Sequence, residues 1–498
     1  GSLSGEHGDG RVRGFFVEKM IGTKNYKLCQ ELKRTWDPKG IFNPNKVVNV
    51  PKMTESLRYE PNQQTNQFDT IFDFSDTGGI LRMAEKCNGS GDCRKSHVIG
   101  GTMCPSYMAT RSEKDTTRGR ANILREFLTR STKVNKFDHK EIYEVYDLCI
   151  SCKGCKSECP SNVDVATLKA EFLQHYHDAN GVPLRTHLIG NITRYNKLGA
   201  IVPGLTNFFF KNEFTSSMIK KVLGFAPKRH IPTLHNTTFT AWAKKNLPHL
   251  NPKENKKGKV YLFADEFTEF NDTHIGITAV KLLTRLGYTV KIPKMGESGR
   301  THLSKGLVRN AKKIANKNIA VFKSLEPNVP ILGIEPSAIL SFRDEYMRLA
   351  TPENREAAQK MGQSAFLIDE FLAKEVEAGH ITAAAFTTEA KQIKLHGHCH
   401  QKALSSVAFT QKILTLPQNY KVEVIPSGCC GMAGSFGYEE EHYDVSMKVG
   451  ELVLFPAVRK ADVETVIAAP GTSCRHQIHD GTGRSAKHPV EVLWEALA

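Results

Sequence analysis

Four cysteines crowd into eleven residues as Cys149-x2-Cys152-x2-Cys155-x3-Cys159, with Pro160 directly after. Thiols spaced two residues apart can converge on one face of a cubane iron–sulfur cluster. A fourth thiol three residues on, followed by proline, is spaced to reach another cluster. Structural zinc is the competing use of close cysteines, but its ligands come as two pairs separated by a longer loop. This stretch is therefore constrained to a ligand loop, with a helix expected over 163–175. One-electron chemistry becomes the expectation for the chain.

A less regular set lies upstream. Cys87-x2-Ser90-x2-Cys93 repeats the frame with serine in the middle slot, and Cys104-Pro105 follows. In a paired arrangement Cys104 serves the cluster of Cys149, Cys152 and Cys155, while Cys159 crosses over to Cys87 and Cys93. The second centre is then one thiolate short. It is expected to be a three-iron centre, or a four-iron centre with Ser90 or solvent at the odd iron; the alternative is that Cys87 and Cys93 are structural. Arg118 and Arg120 either belong to a solvated helix face or offset the negative charge of a cluster.

A third group comprises Cys399, the pair Cys429-Cys430, and Cys474. Each follows a strand candidate, so loops at one end of an α/β sheet can bring them together. Adjacent cysteines rarely bridge to each other without strain, and Gly428 and Gly431 free the backbone around the pair. Metal or cluster binding is expected here. His398, His400, His442 and His476 are expected as hydrogen-bonding neighbours of that site. At the N-terminus, Glu6-His7-Gly8-Asp9-Gly10 suits general base chemistry or one edge of a divalent metal site.

The 498 residues are enough for about three domains, and their organisation is uneven. A helical pattern from Phe15 to Trp36 ends at Pro38-Lys39-Gly40. The last 240 or so residues alternate β-branched runs with helical patterns, as an α/β domain does, and they repeat. Tyr288–Pro293 with Glu297-Ser298-Gly299 echoes Tyr420–Pro426 with Cys429-Cys430-Gly431. Glu335-Pro336-Ser337-Ala338 echoes Gly471-Thr472-Ser473-Cys474. The two halves read as copies of one module, with cysteines kept only in the second.

Cysteines clustered beside glycine and proline indicate a reducing compartment and metal ligation over disulfides, hence a cytoplasmic protein. Of the net charge of +16, the excess lies between 181 and 330, with 25 Lys or Arg against 8 Asp or Glu. A basic middle is either a solvated surface or a face for an anionic partner. No established nucleic-acid module is present, so nucleic acid is not expected as a partner. An acidic redox protein, or peripheral contact with the inner face of a membrane through Phe208–Phe210, remains.

Taken together, these motifs resemble a known fusion. Ser4-Gly5-Glu6-His7-Gly8-Asp9-Gly10 with Phe42-Asn43-Pro44-x-Lys46 is similar to the end of the flavin-linked oxidase fold of D-lactate, glycolate and D-2-hydroxyglutarate oxidoreductases. The resemblance assigns Glu6 and His7 to substrate or divalent metal, and Asn43 to the flavin. Residues 78–498 resemble the glycolate oxidase iron–sulfur subunit, and the repeated modules resemble the Cys-Cys-Gly (CCG) domains of heterodisulfide reductase.

The implied architecture is multidomain α+β. It runs as a flavin-oxidase tail at 1–50, a connector at 51–77, and a helical two-cluster ferredoxin-like segment at 78–185. A basic connector at 186–257, a degenerate CCG module at 258–385 and a cysteine-bearing CCG module at 386–498 follow.

The implied function is the C-terminal part of a D-2-hydroxy-acid dehydrogenase that uses FAD and 4Fe-4S clusters. A small D-2-hydroxy acid is its substrate, a quinone or redox protein its acceptor, and FAD is held by a preceding part that this chain lacks. The alternatives are a non-catalytic electron-transfer subunit, or thiol–disulfide chemistry at Cys429-Cys430.

Overall fold

The computed structural model describes Leu3 and residues 7–57, 66–253 and 257–498, so Glu6 lies outside the described residues. The chain forms two compact units, 1–66 and 67–498. In the first, the helix Val17–Trp36 is interrupted at Gly22, whose φ of 80° leaves the helical region. Asp37 closes the helix by accepting the N–H groups of Ile41 and Phe42 at 2.9 and 3.0 Å. Asn43 lies exposed just beyond, with φ of 46°.

The second unit opens with a helical segment that carries the first seven of its cysteines. Helices Pro105–Thr110, Thr117–Arg130, Lys140–Asp147, Gly154–Glu158 and Val165–Asn180 pack without a sheet. Thr116 and Asp164 start two of them, each accepting an N–H of the first turn. The helix expected over 163–175 begins at Val165 and continues to Asn180, where Gly181 at φ 82° ends it.

Two parallel sheets follow. The first contains β1 (Lys259–Leu262), β2 (Thr289–Lys291), β3 (Ile331–Gly333) and β4 (Ala365–Leu367). The second contains β5 (Lys391–Leu395), β6 (Tyr420–Val424) and β7 (Val466–Ala468). Their orders are β2-β1-β3-β4 and β6-β5-β7. In each, the first strand is central, with Val260 beside Val290 and Ile393 beside Val422. The winding therefore reverses between the first and third strands, and the loops after them diverge to leave a crevice at the carboxyl ends. The second sheet has no counterpart of β4 among the described residues.

Cores run across these segments. Leu124, Ile142 and Phe172 of the helical segment share one cluster with Leu303, Phe342 and Tyr346. Val260 and Leu262 share another with Ile393 and Leu395.

Polar anchoring is concentrated at Lys153, between two of the clustered cysteines. Its ammonium is buried and meets Asp164 at 2.9 Å, Asp344 at 2.9 Å and Glu345 at 3.4 Å. Lys156 also pairs with Asp344, and Arg300 pairs with Glu345 at 2.7 Å. Three cations thus face three carboxylates. Burial is the largest effect and works against each carboxylate, but Lys153 together with Lys156 or Arg300 and the local hydrogen bonds outweighs it and holds all three below their ordinary range.

Replacing Lys153 with methionine strands buried charge and should destabilise the second unit by about 3–5 kcal/mol. A urea midpoint unchanged by that substitution would show that the network carries no net stability.

Candidate metal centre and adjoining cleft

The loop 149–155 is coiled by left-handed backbone at Ser151 and Lys153, with φ of 50° and 62°. This turns Cys149, Cys152 and Cys155 toward one small cavity, whose wall is completed by Cys104 from the start of the helix Pro105–Thr110. Arg120 lines the same cavity and is fully buried, so it is no part of a solvated face. Its Nη1 donates to Asp115 O at 2.7 Å and Ser106 Oγ at 3.1 Å, and lies 3.5 Å from Cys104 Sγ. Its Nη2 has no hydrogen-bond partner. Asp115 Oδ1 lies 3.7 Å from that nitrogen, and four thiols with a buried guanidinium around one cavity fit an anionic inorganic centre, whose thiolate charge the cation would help to offset.

The upstream residues are placed less tightly. Cys93 is buried, with Cys87 and Cys104 within electrostatic reach, and burial is the main cause that raises its thiol. Cys87 and Cys159 are half-buried against the same core. Ser90 is exposed, and its N–H donates to Asn88 Oδ1 at 3.0 Å in a local turn.

The third cysteine group assembles at the carboxyl ends of β5, β6 and β7. Cys399, Cys429, Cys430 and Cys474 are all buried in one core cluster. Cys430 accepts hydrogen bonds from Cys429 and then Cys474, with His396 beside it, and these hold its thiol well below the ordinary range. Gly431 adopts φ of 96°, and a Cβ there would come within 2.3 Å of Ser446 O. Glycine is required at that turn.

His396, which no sequence motif singles out, belongs to this group. It lies within 4.8 Å of Cys430 and Cys474 by its ligand atom. Its Nδ1 pairs with Ser427 Oγ at 2.7 Å, and its Nε2 is buried without a hydrogen-bond partner. Burial keeps the ring neutral, so an unpaired ring nitrogen faces two thiols. That donor set fits a thiophilic metal or cluster. The signal for it was local, since His396 directly follows β5 and precedes Cys399 by three residues.

The four histidines expected as neighbours all have partners. His398 Nδ1 accepts from His400 N–H at 3.1 Å, and His476 Nδ1 meets Tyr438 Oη at 2.8 Å. His442 Nε2 meets Asp147 Oδ2 at 2.9 Å, and His400 Nε2 meets Ser151 O at 3.0 Å. The His442 contact joins this region to the end of the helix Lys140–Asp147 and the His400 contact joins it to the ligand loop, where Cys152 lies within electrostatic reach of Cys399. At the equivalent ends of β1 and β2 there are no thiols: Glu266 accepts the N–H and hydroxyl of Ser298 at 2.8 and 2.7 Å.

Between the two cysteine groups opens a cleft of about 340 Å³, bordered by Cys149, Ser151, Cys399, Cys429 and Cys430. Arg300, Lys305, His398 and His442 supply its polar wall, and Ile189, Ile192, Phe210, Phe225 and Phe267 an apolar one. Its size and its few convergent polar groups suit a small molecule. His7 and Asn43 belong to the first unit. Among the described residues no three-ligand group includes His7.

The clustered thiols define a class of site, one suited to iron–sulfur centres, and comparisons with known proteins point the same way. The family of FAD linked oxidases, C-terminal domain, matches residues 1–47, and the 4Fe-4S dicluster domain matches residues 86–164. FAD and 4Fe-4S are the cofactors these matches indicate.

The whole chain is similar to D-2-hydroxyglutarate dehydrogenase of Escherichia coli (strain K12), 26% identical and covering 52% of that protein. Over 68% of its length the chain is 22% identical to a subunit of the anaerobic glycerol-3-phosphate dehydrogenase of the same organism, covering 83% of that subunit. Over 47% of its length it is 28% identical to lactate utilization protein A of Bacillus subtilis (strain 168), covering 98%. The chain spans about half the length of the D-2-hydroxyglutarate dehydrogenases it matches. No solved structure matches.

One wall of the cleft is set by Glu439. Burial works to raise its pKa, but hydrogen bonds from His442 and Lys305 and the charge of Arg185 outweigh it and hold the carboxyl at about 2. A depressed folded value contributes stability that is complete above the unfolded value of 4.5 and is lost as pH falls toward 2. Glu439→Gln should therefore cost about 2–3 kcal/mol at neutral pH and flatten the acid limb in that window. Parallel acid limbs for the two proteins in urea titrations would contradict this.

Proposed function

We propose that this chain is the electron-relaying C-terminal part of an FAD- and iron–sulfur-dependent D-2-hydroxy-acid dehydrogenase. D-2-hydroxyglutarate and D-lactate are the candidate substrates. The observation that carries the reading is the convergence of Cys104 on Cys149, Cys152 and Cys155 around a buried Arg120, with the thiols of the second sheet one contact away through His400 and Ser151. When bound, clusters take up and pass on single electrons, which lets a two-electron flavin serve a one-electron acceptor.

The chain's own residues have definite tasks in this reading. Cys104, Cys149, Cys152 and Cys155 hold one centre, and Arg120 offsets its charge. Cys159, Cys87 and Cys93 serve a second, supported by the match to a dicluster domain. Cys399, Cys429, Cys430 and Cys474, with His396, hold a third metal group in the module that resembles a CCG domain. The cleft between the first and third receives the acceptor. Glu6, His7 and Asn43 contribute to the substrate and flavin side.

The similarity to one subunit of glycerol-3-phosphate dehydrogenase favours a second reading, an electron-transfer subunit without a substrate of its own. Residues 1–47 speak for the dehydrogenase, since a carrier has no use for the end of a flavin-oxidase domain.

Iron and acid-labile sulfide analysis with EPR on anaerobically reconstituted protein tests the relay. Cys149→Ala should remove one centre, and Cys430→Ala a different one. A single centre, lost only through the 149–159 cysteines, would end the electron path at the helical segment and refute the three-site relay.

A further inference from the structure

The segment between the two cysteine-bearing regions has two faces. It folds as four short helices, Leu184–Gly190, Ile192–Gly199, Pro203–Lys211 and Glu213–Leu223. Toward the protein it supplies Ile189, Ile192 and Phe210 to the cleft. Toward solvent it is unusually apolar. Of the sixteen exposed large apolar side chains in 67–498, twelve lie between Val182 and Val222. Leu205, Phe208 and Phe209 share one face of the third helix, and Phe214, Met218 and Val222 one face of the fourth. Phe214 is 78% exposed and Val222 74%. Scattered exposed leucines need no explanation, but a contiguous patch of phenylalanines does.

The platform is rigidly held. Asn207 exchanges two hydrogen bonds with the backbone of Leu234, at 2.7 and 2.8 Å. Arg185 pairs with Glu441, and the buried Arg229 with Asp480 at 3.2 Å. Those two arginines are committed inward. The other cations of the segment, Arg194, Lys197, Lys211, Lys220, Lys221 and Lys228, are exposed or half-exposed, and Glu213 is the single acidic residue between 184 and 228. Protein interfaces deplete lysine. Short apolar helical faces rimmed by lysine are the pattern of segments that lie in a lipid headgroup layer, with lysine stems following the apolar surface.

We propose that residues 184–223 dock on an anionic lipid bilayer, with the apolar faces of the third and fourth helices inserted and the flanking lysines on the headgroups. The chain has no helix long and apolar enough to cross a membrane among its described residues, so the contact is peripheral. This deepens the relay reading, on which its functional consequence rests: the segment that faces lipid also walls the cleft, so an acceptor dissolved in the bilayer reaches the cysteine groups along Phe210.

Vesicle flotation tests the lipid contact independently of electron transfer. The purified, cluster-reconstituted chain is mixed with vesicles of phosphatidylcholine alone, or with about one quarter phosphatidylglycerol. Binding should require the anionic lipid and weaken as salt rises. Phe208→Asp with Phe214→Asp, and separately Lys211→Glu with Lys221→Glu, should each lower binding about tenfold or more at unchanged iron content and far-UV circular dichroism.

No binding to either vesicle at low salt, or binding that both double variants retain, overturns the proposal. So does self-association that Phe208→Asp with Phe214→Asp abolishes, since the patch would then be covered by a second copy. Failure of the relay itself would appear in the EPR experiment and leave vesicle binding intact.

Discussion

A buried ammonium carries the architecture of the second unit. Lys153 Nζ sits among Asp164, Asp344 and Glu345, taken from two regions far apart in sequence. Dehydrating a lysine costs several kcal/mol, and only close opposite charges offset it. Lys153 lies between Cys152 and Gly154, so satisfying its charge also sets where the ligand loop stands against the first sheet. Lys156 and Arg300 complete the neutralisation, and Arg300 reaches on to the cleft wall. The position of the cysteine loop is thus a by-product of burying charge without leaving it unpaired.

The second sheet solves a different problem with the same economy of elements. Parallel strands all deliver their loops to one end, and placing the first strand in the middle opens a crevice there. Cys399, Cys429-Cys430 and Cys474 come from three such loops and meet although up to 75 residues separate them. The first sheet keeps the order β2-β1-β3 but fills the equivalent place with Glu266 and Ser298. A hydrogen-bonded carboxylate and hydroxyl close that end, so it supports the neighbouring site by packing. The cleft is what remains open between these two sheet ends and the loop 149–155.

The helices at 184–223 tie this interior to the exterior. They wall the cleft with one set of side chains and expose another, while Arg185 within them and Arg229 just after them pair with Glu441 and Asp480 of the last module. Shape and charge on the surface are therefore coupled to the geometry of the cleft through rigid packing.

Much of this was legible in the chain itself. The Cys149–Cys159 spacing, the strand candidates ahead of each later cysteine, and the helix after Pro160 are local signals, set by backbone reach and side-chain periodicity. The convergence of distant parts was not of that kind. Ser90 holds the slot of a ligand by spacing, yet a local turn leaves it exposed. Arg120 reads equally as part of a solvated helix face or as a counter-charge to a cluster, and only the fold buries it beside Cys104. His396 carries no motif, and only the packing of β5 against Ser427 leaves its second nitrogen facing two thiols. Lys153 looks like any loop lysine. The amino-acid order by itself determined which cysteines are spaced to bind metal and where the strongest helix and strand signals lie, because those follow from neighbours along the chain. The tertiary structure decided which of them share a site, because burial and charge pairing across hundreds of residues depend on the whole fold.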